Sequence, residues 1–191
     1  MADDVKLKLT DAIKQLLATK PLYKITIKEI TDIVGINRQT FYYHFQDIYD
    51  LALYMYRHDI YKLLEDFDFS NDFSLIIKIM FTYAVDNRNL LLNTISNADS
   101  GVVNQYMSSV VNEMVIKAIQ YRAKALNVEI SDEGVKELAE FYTYYISGEI
   151  MNWFKSGINN ISQTKFKIVS YFVKVNFDHN IKQLAKSKDN K

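Results

Sequence analysis

The chain has 191 residues, 23 Lys and Arg against 23 Asp and Glu, 49% hydrophobic residues, 5 Gly, 1 Pro and no Cys. Without cysteine there is no disulfide framework and no thiolate metal site, which suits a reducing compartment, and a net charge of +0 offers no broad basic surface to a nucleic acid. Few helix breakers and long apolar runs at helical spacing predict an all-α protein with short connections, in one sizeable domain or a small domain plus a larger one.

The opening MADDVKLKLTD lacks the apolar core of a signal peptide, and runs such as LIIKIMF are too short to span a bilayer. A soluble, cytoplasmic chain with no membrane partner is expected. Residues 4–19 place Val5, Leu9, Ala12, Ile13, Leu16 and Leu17 on one helical face. Asp3 and Asp4 suit the positive helix N-terminus, and Pro21 is expected to stop the helix.

In KITIKEITDIVG, Thr26 precedes the periodic set Ile27, Ile30 and Ile33/Val34, and Glu29 stands at capping-box spacing from it. Gly35 closes this short helix with a residue that accepts positive φ. Asn37 is then a good N-cap for a second helix. Helix, Gly-containing turn, helix is the helix-turn-helix signature, although any helical hairpin can share it.

The second helix, residues 38–45, carries the stronger signal. Phe41 and Phe45 stand four residues apart and turn inward. Gln39, Thr40 and Tyr43 then point nearly opposite, with Arg38 and Tyr42 on one flank and His44 on the other. Such a face suits a major groove: Arg bonds guanine bidentately, Gln bonds adenine, and Thr touches a thymine methyl or a phosphate. Tyr and His supply phosphate hydrogen bonds. The alternatives are a structural or capping role for His44 and partial packing of Tyr42 and Tyr43 on the first helix. Residues 1–58 hold eight Lys/Arg and seven Asp/Glu, so any positive field here must be local.

Residues 21–51, PLYKITIKEITDIVGINRQTFYYHFQDIYDL, resemble the DNA-binding motif of the TetR family of transcription regulators throughout, including the Thr-Phe-Tyr-Tyr-His-Phe run. The resemblance implies that Thr40, Tyr42, Tyr43 and His44 hold DNA phosphates, that Arg38 and Gln39 read bases, and that Thr26 and Lys28 add backbone contacts. It further implies a DNA-binding domain over 1–46 and a regulatory and dimerisation domain over 47–191, with 47–66 as the connecting helix. The sequence departs from the family at Ile48, where a phosphate-binding Lys is common, and Asp47 and Asp50 flank it. That loss removes one phosphate contact without removing base readout.

In the connecting helix, Leu51, Tyr54, Met55, His58, Tyr61 and Leu64 form a stripe, Asp47 is a plausible cap, and His58 reads as a half-buried polar residue or a ligand. FDFSNDFS (67–74) is a loop, with Ser70, Asn71 or Asp72 capping the next helix. Five more helices are predicted at about 72–86, 88–97, 102–126, 132–156 and 162–185 by the spacing of apolar residues. The last is apolar nearly all round, which implies burial on every side. The last two helices are therefore expected to pair with their copies in a homodimer, the alternative being burial inside one subunit.

Phe81, Tyr83, Tyr106, Tyr142, Tyr145 and Trp153 offer aromatic walls for a ligand pocket, with Glu149 and Asn152 as polar anchors; plain core packing is the alternative. His44, His58 and His179 stand far apart, so no metal site is expected, and no cofactor. Neither a Gly-rich phosphate loop nor a nucleophile elbow occurs, so no enzyme is expected. FYYHFQDIYDL, with a Tyr-rich next-to-last helix ending in Trp-Phe-Lys-Ser-Gly, is also similar to the dihydroxyacetone kinase regulator-like group, whose members can act as activators with a partner protein.

These readings converge on a homodimeric regulator that binds double-stranded DNA at a near-palindrome and answers to a small molecule or a partner protein. Two alternatives stand beside it. One is a helical dimeric co-regulator acting through protein–protein interaction with little direct DNA binding, and the other is a carrier of a hydrophobic ligand.

Overall fold

A computed structural model describes residues 2–65, 67–68, 74–96, 100–158 and 163–186. Among these residues the chain is all-α. The helices are α1 (Ala2–Leu17), α2 (Ile27–Val34), α3 (Arg38–His44), α4 (Ile48–Leu63), α5 (Ser74–Asp86), α6 (Arg88–Ile95), α7 (Ser100–Ala125), α8 (Asp132–Lys155) and α9 (Gln163–Lys186), with a 3-10 turn at Leu22–Lys24. The cap expected at Ser70, Asn71 or Asp72 lies outside the described residues.

Two compact units form: Met1–Glu65 with Asp86–Val103, and Asp66–Val85 with Asn104–Lys191. In the first, the stripe of α1 (Leu9, Ala12, Ile13 and Leu17) packs with Ile30, Phe41, Leu51 and Met55 from the next three helices. α1 leaves the helix at Leu17, ahead of Pro21, and the N–H groups of Thr19 and Lys20 turn back to the Leu16 carbonyl. A helix end leaves four carbonyls without intrahelical partners. One of these, on Leu17, accepts a hydrogen bond from Asn93 Nδ2 of α6 at 2.8 Å. Lys14 pairs with Asp59, tying α1 to α4. Tyr56 of α4 sets its hydroxyl 2.6 Å from that of Thr94 on α6.

Two residues expected on buried stripes face out: Ile33 is 47% and Tyr61 38% exposed. On α2, Ile27, Ile30, Thr31 and Val34 fall within about 100° of arc and Ile33 outside it. On α4, Ala52 is buried instead. His58 is half-buried and its ring stacks on Tyr54.

The second unit is a helical bundle. α9 contributes Val169, Val173, Phe177 and Ile181, one every fourth position, to a core shared with Val115 and Ile119 of α7 and Leu138 and Tyr142 of α8. Polar pairs link these helices: Arg122 forks onto Asp178, Asn112 Nδ2 donates to Thr143, and Asn180 Nδ2 donates to the Tyr142 hydroxyl. α8 starts at Ser131, whose hydroxyl accepts the Gly134 N–H. It ends in a Schellman turn: Gly157 at φ 79° donates to Phe154 O, and Ile158 donates to Trp153 O.

Within one chain α9 is buried on one face only. Its other face exposes Ile168, Tyr171, Phe172 and Val175, and α8 exposes Phe141 and Tyr144.

Candidate nucleic-acid interface

The interface is built from three local devices. The first is the start of α2. Thr26 accepts the Glu29 N–H on its hydroxyl oxygen and gives its own N–H to Glu29 Oε2, a complete capping box. The Thr26 hydroxyl also donates to Glu29 Oε2 at 2.9 Å, and Lys20 pairs with Oε1 of the same carboxylate. Lys20 above all, then the N–H and hydroxyl of Thr26, holds the Glu29 carboxyl at about 2, well below its ordinary 4.5. A phosphate meeting the Thr26 hydroxyl would have to displace Glu29.

The second device is the turn. Gly35 takes φ 76°, in the left-handed region where a Cβ is strained. Gly35 and Ile36 both return their N–H groups to the Thr31 carbonyl. Ile36 then packs on the core of the first unit, which fixes where α3 begins.

The third device is α3 itself. Asn37 caps it by accepting the Thr40 N–H at 2.8 Å, and the same Oδ1 accepts the Thr40 hydroxyl at 3.1 Å. Phe41 and Phe45 are 0% and 4% exposed, whereas Tyr42 is 57% and Tyr43 82% exposed. Arg38 and Gln39 are exposed, and Thr40 and His44 are half-buried. The His44 ring meets Tyr43 edge-on at 5.0 Å. An aromatic pair turned inward thus leaves a polar and phenolic face outward, since successive helical residues advance by about 100°.

At the next junction, Asp47 caps α4 by accepting the Asp50 N–H, and Asp50 accepts the Gln46 N–H. Ile48 is half-buried and packs on the first unit's core. Lys28, on the outer side of α2, pairs with Asp32 at 2.6 Å. That pairing, and the hold of Asn37 on the Thr40 hydroxyl, were missed in the sequence. Their signal was the spacing of four and three residues that brings such groups together on a helix or its cap.

Several of the residues considered for a ligand pocket make ring contacts. Phe81 and Trp153 lie 4.7 Å apart between ring centroids, and Phe81 also meets Phe166. Tyr145 packs on Phe172, and Tyr142, fully buried, packs on Phe177. Burial pushes the Tyr142 phenol up from its ordinary value. Glu149, Tyr83 and Tyr106 are half-buried, and Asn152 is exposed. No helix among the described residues is long and apolar enough to cross a membrane.

Comparison with known proteins agrees with this geometry. Residues 9–55 match the family model of bacterial regulatory proteins, tetR family, and residues 71–175, more than half the chain, match that of a transcriptional regulator C-terminal region. No curated protein sequence gives a significant match. Among solved structures, the dihydroxyacetone kinase operon activator DhaS is similar at 17% identity and TM-score 0.63, over 95% of this chain and 98% of that one. A transcriptional regulator from Cytophaga hutchinsonii ATCC 33406 is similar at 19% identity and TM-score 0.50, over 93% and 96%. At these identities the likeness is one of fold.

Proposed function

The chain belongs to the TetR family of bacterial DNA-binding transcription regulators, and on that premise we propose that it acts in the cytoplasm as a homodimer on a palindromic operator. Residues 1–46 are the DNA-binding part in this reading, and 47–191 the regulatory and dimerisation part, joined by 47–66. Each protomer lays α3 in a major groove, and two copies read half-sites roughly 34–36 Å apart or a multiple of that. Arg38 and Gln39 read bases, while Thr26, Lys28, Thr40, Tyr42, Tyr43 and His44 meet the backbone.

The observation that carries this reading is the outward face of α3. Arg38, Gln39, Tyr42 and Tyr43 stand exposed directly over the buried Phe41 and Phe45. The exposed apolar faces of α8 and α9 support dimerisation through these helices, because contiguous apolar surface marks an interaction site. Phe81, Trp153 and Glu149 of the second unit are the first candidates for the site of a small-molecule effector, with a partner protein as the alternative controller. The similarity of fold to an operon activator supports assaying activation beside repression.

A duplex selected from a random pool provides the test. Arg38→Ala or Gln39→Ala should cost about 1–3 kcal/mol on the selected sequence and relax preference at one position. An unchanged base preference in Arg38→Ala would sink the base-reading assignment. A second reading, a co-regulator acting through protein contacts, draws on the half-buried Ile48 and the carboxylates Asp47 and Asp50 at the start of α4. It predicts no shift of any duplex at micromolar protein, whereas DNA binding predicts a steep loss of affinity with salt.

A further inference from the structure

On the exposed side of α2, Lys28 Nζ lies 2.6 Å from Asp32 Oδ2, with side chains 65% and 60% exposed. The fold has little use for this pair. Lys28 stands in the first turn and Asp32 in the last turn of α2, the reverse of the order that a helix dipole favours. Exposed pairs of this kind add little stability even in the favoured order.

The same pattern recurs across the interface. Thr26 has its N–H and hydroxyl engaged by Glu29, and Thr40 has its hydroxyl engaged by Asn37. By contrast, Arg38 and Gln39 make no side-chain hydrogen bond or ion pair among the described residues. Lys28, Thr26 and Thr40, three of the groups suited to the sequence-independent backbone, are thus already occupied, and Arg38 and Gln39, suited to base edges, are not.

Resting on the reading of this chain as a DNA-binder through α3, we infer that Asp32 is an internal counter-ion that a DNA phosphate must displace from Lys28, lowering affinity for every duplex alike. A phosphate that takes the ammonium leaves Asp32 unpaired beside a polyanion. Repulsion and the counter-ion drawn to that carboxylate offset the counter-ion that Lys28 releases from DNA. The gain from Lys28 is therefore largely cancelled, and the salt dependence falls short by about one phosphate contact. Base readout by Arg38 and Gln39 is untouched, so the ratio of operator to random affinity does not depend on Asp32.

The test is fluorescence anisotropy of the full chain on a random-sequence duplex and on a selected operator, at several salt concentrations. Wild type, D32N, D32A, K28A and K28A/D32N are compared, each checked for helicity and melting. D32N should tighten both duplexes by about three- to eightfold near 0.1 M salt and steepen the salt slope by about one. That gain should vanish in the K28A background, with D32A behaving as D32N does. An unchanged affinity and slope in both Asp32 variants overturns the inference while leaving the DNA-binding reading intact, as does an equal gain without Lys28. Wild type that binds no duplex at high micromolar concentration overturns both.

Discussion

Phe41 is fully buried, and Tyr43, two residues further along α3, is 82% exposed. The two rings divide one short helix, the first anchoring it to the N-terminal core and the second standing out toward solvent.

That division predicts opposite phenotypes. Phe41→Ala should cost about 3–5 kcal/mol of stability, the range for emptying a buried aromatic site. Tyr43→Ala should stay within about 0.5 kcal/mol in stability, as surface substitutions do, yet weaken binding to all DNA sequences. Urea unfolding and duplex titration of both variants decide it. A Tyr43→Ala protein with full DNA affinity would remove this tyrosine from the interface.

Tyr56 ties α4 to α6 through its hydrogen bond with Thr94, which in turn donates to the Leu90 carbonyl. Burial holds the Tyr56 phenol far above its ordinary value, so it stays neutral at any working pH. Tyr56→Phe should therefore destabilise by about 0.5–1.5 kcal/mol, the net worth of one such bond, equally at pH 6 and pH 9. A double-mutant cycle with Thr94→Val measures the coupling, and additive losses would show that the hydroxyls do not act on each other.

Glu29 supplies a pH signature. Its folded value of about 2 lies below the ordinary 4.5, so its contribution to stability is fully present above the ordinary value. It is lost as pH falls toward the folded one. Wild type should lose more stability than Glu29→Gln across that acid window, and the two should run parallel above it. Urea midpoints against pH give the answer, and parallel curves throughout would contradict the assigned ion pair.

Ile168, Tyr171 and Val175 line the exposed face of α9. Ile168→Asp with Tyr171→Glu should convert a dimer into a folded monomer, because unpaired charges at an interface core oppose association. Sedimentation velocity reads the mass and circular dichroism the fold. A double variant that remains dimeric would place the dimer interface elsewhere.

Much of the architecture could be read from the amino acids because its signals are local. Thr26 with Glu29, Gly35, Asn37 and Asp47 act within one helical turn of their partners, so the caps and the turn of the reading motif follow from spacing alone. The inward pair Phe41 and Phe45 is equally local, and it orients α3. Lys28 and Asp32 stand four residues apart, a spacing that marks a pair, yet that pairing was missed. Less legible were Ile33 and Tyr61, each set on a buried stripe by periodicity and each turned outward, because the arc a helix buries depends on what packs against it.

Composition and spacing by themselves determined the all-α class, the helices and the face of α3, since hydrogen bonds within four residues build each of these. Tertiary structure alone decided that α6 joins the N-terminal unit. Asn93 reaches the Leu17 carbonyl, Tyr56 meets Thr94, and Lys14 meets Asp59. Such partners lie dozens of residues apart, and no periodicity relates them. Their meeting depends on which faces are buried together, a property of the packed chain and not of any one helix.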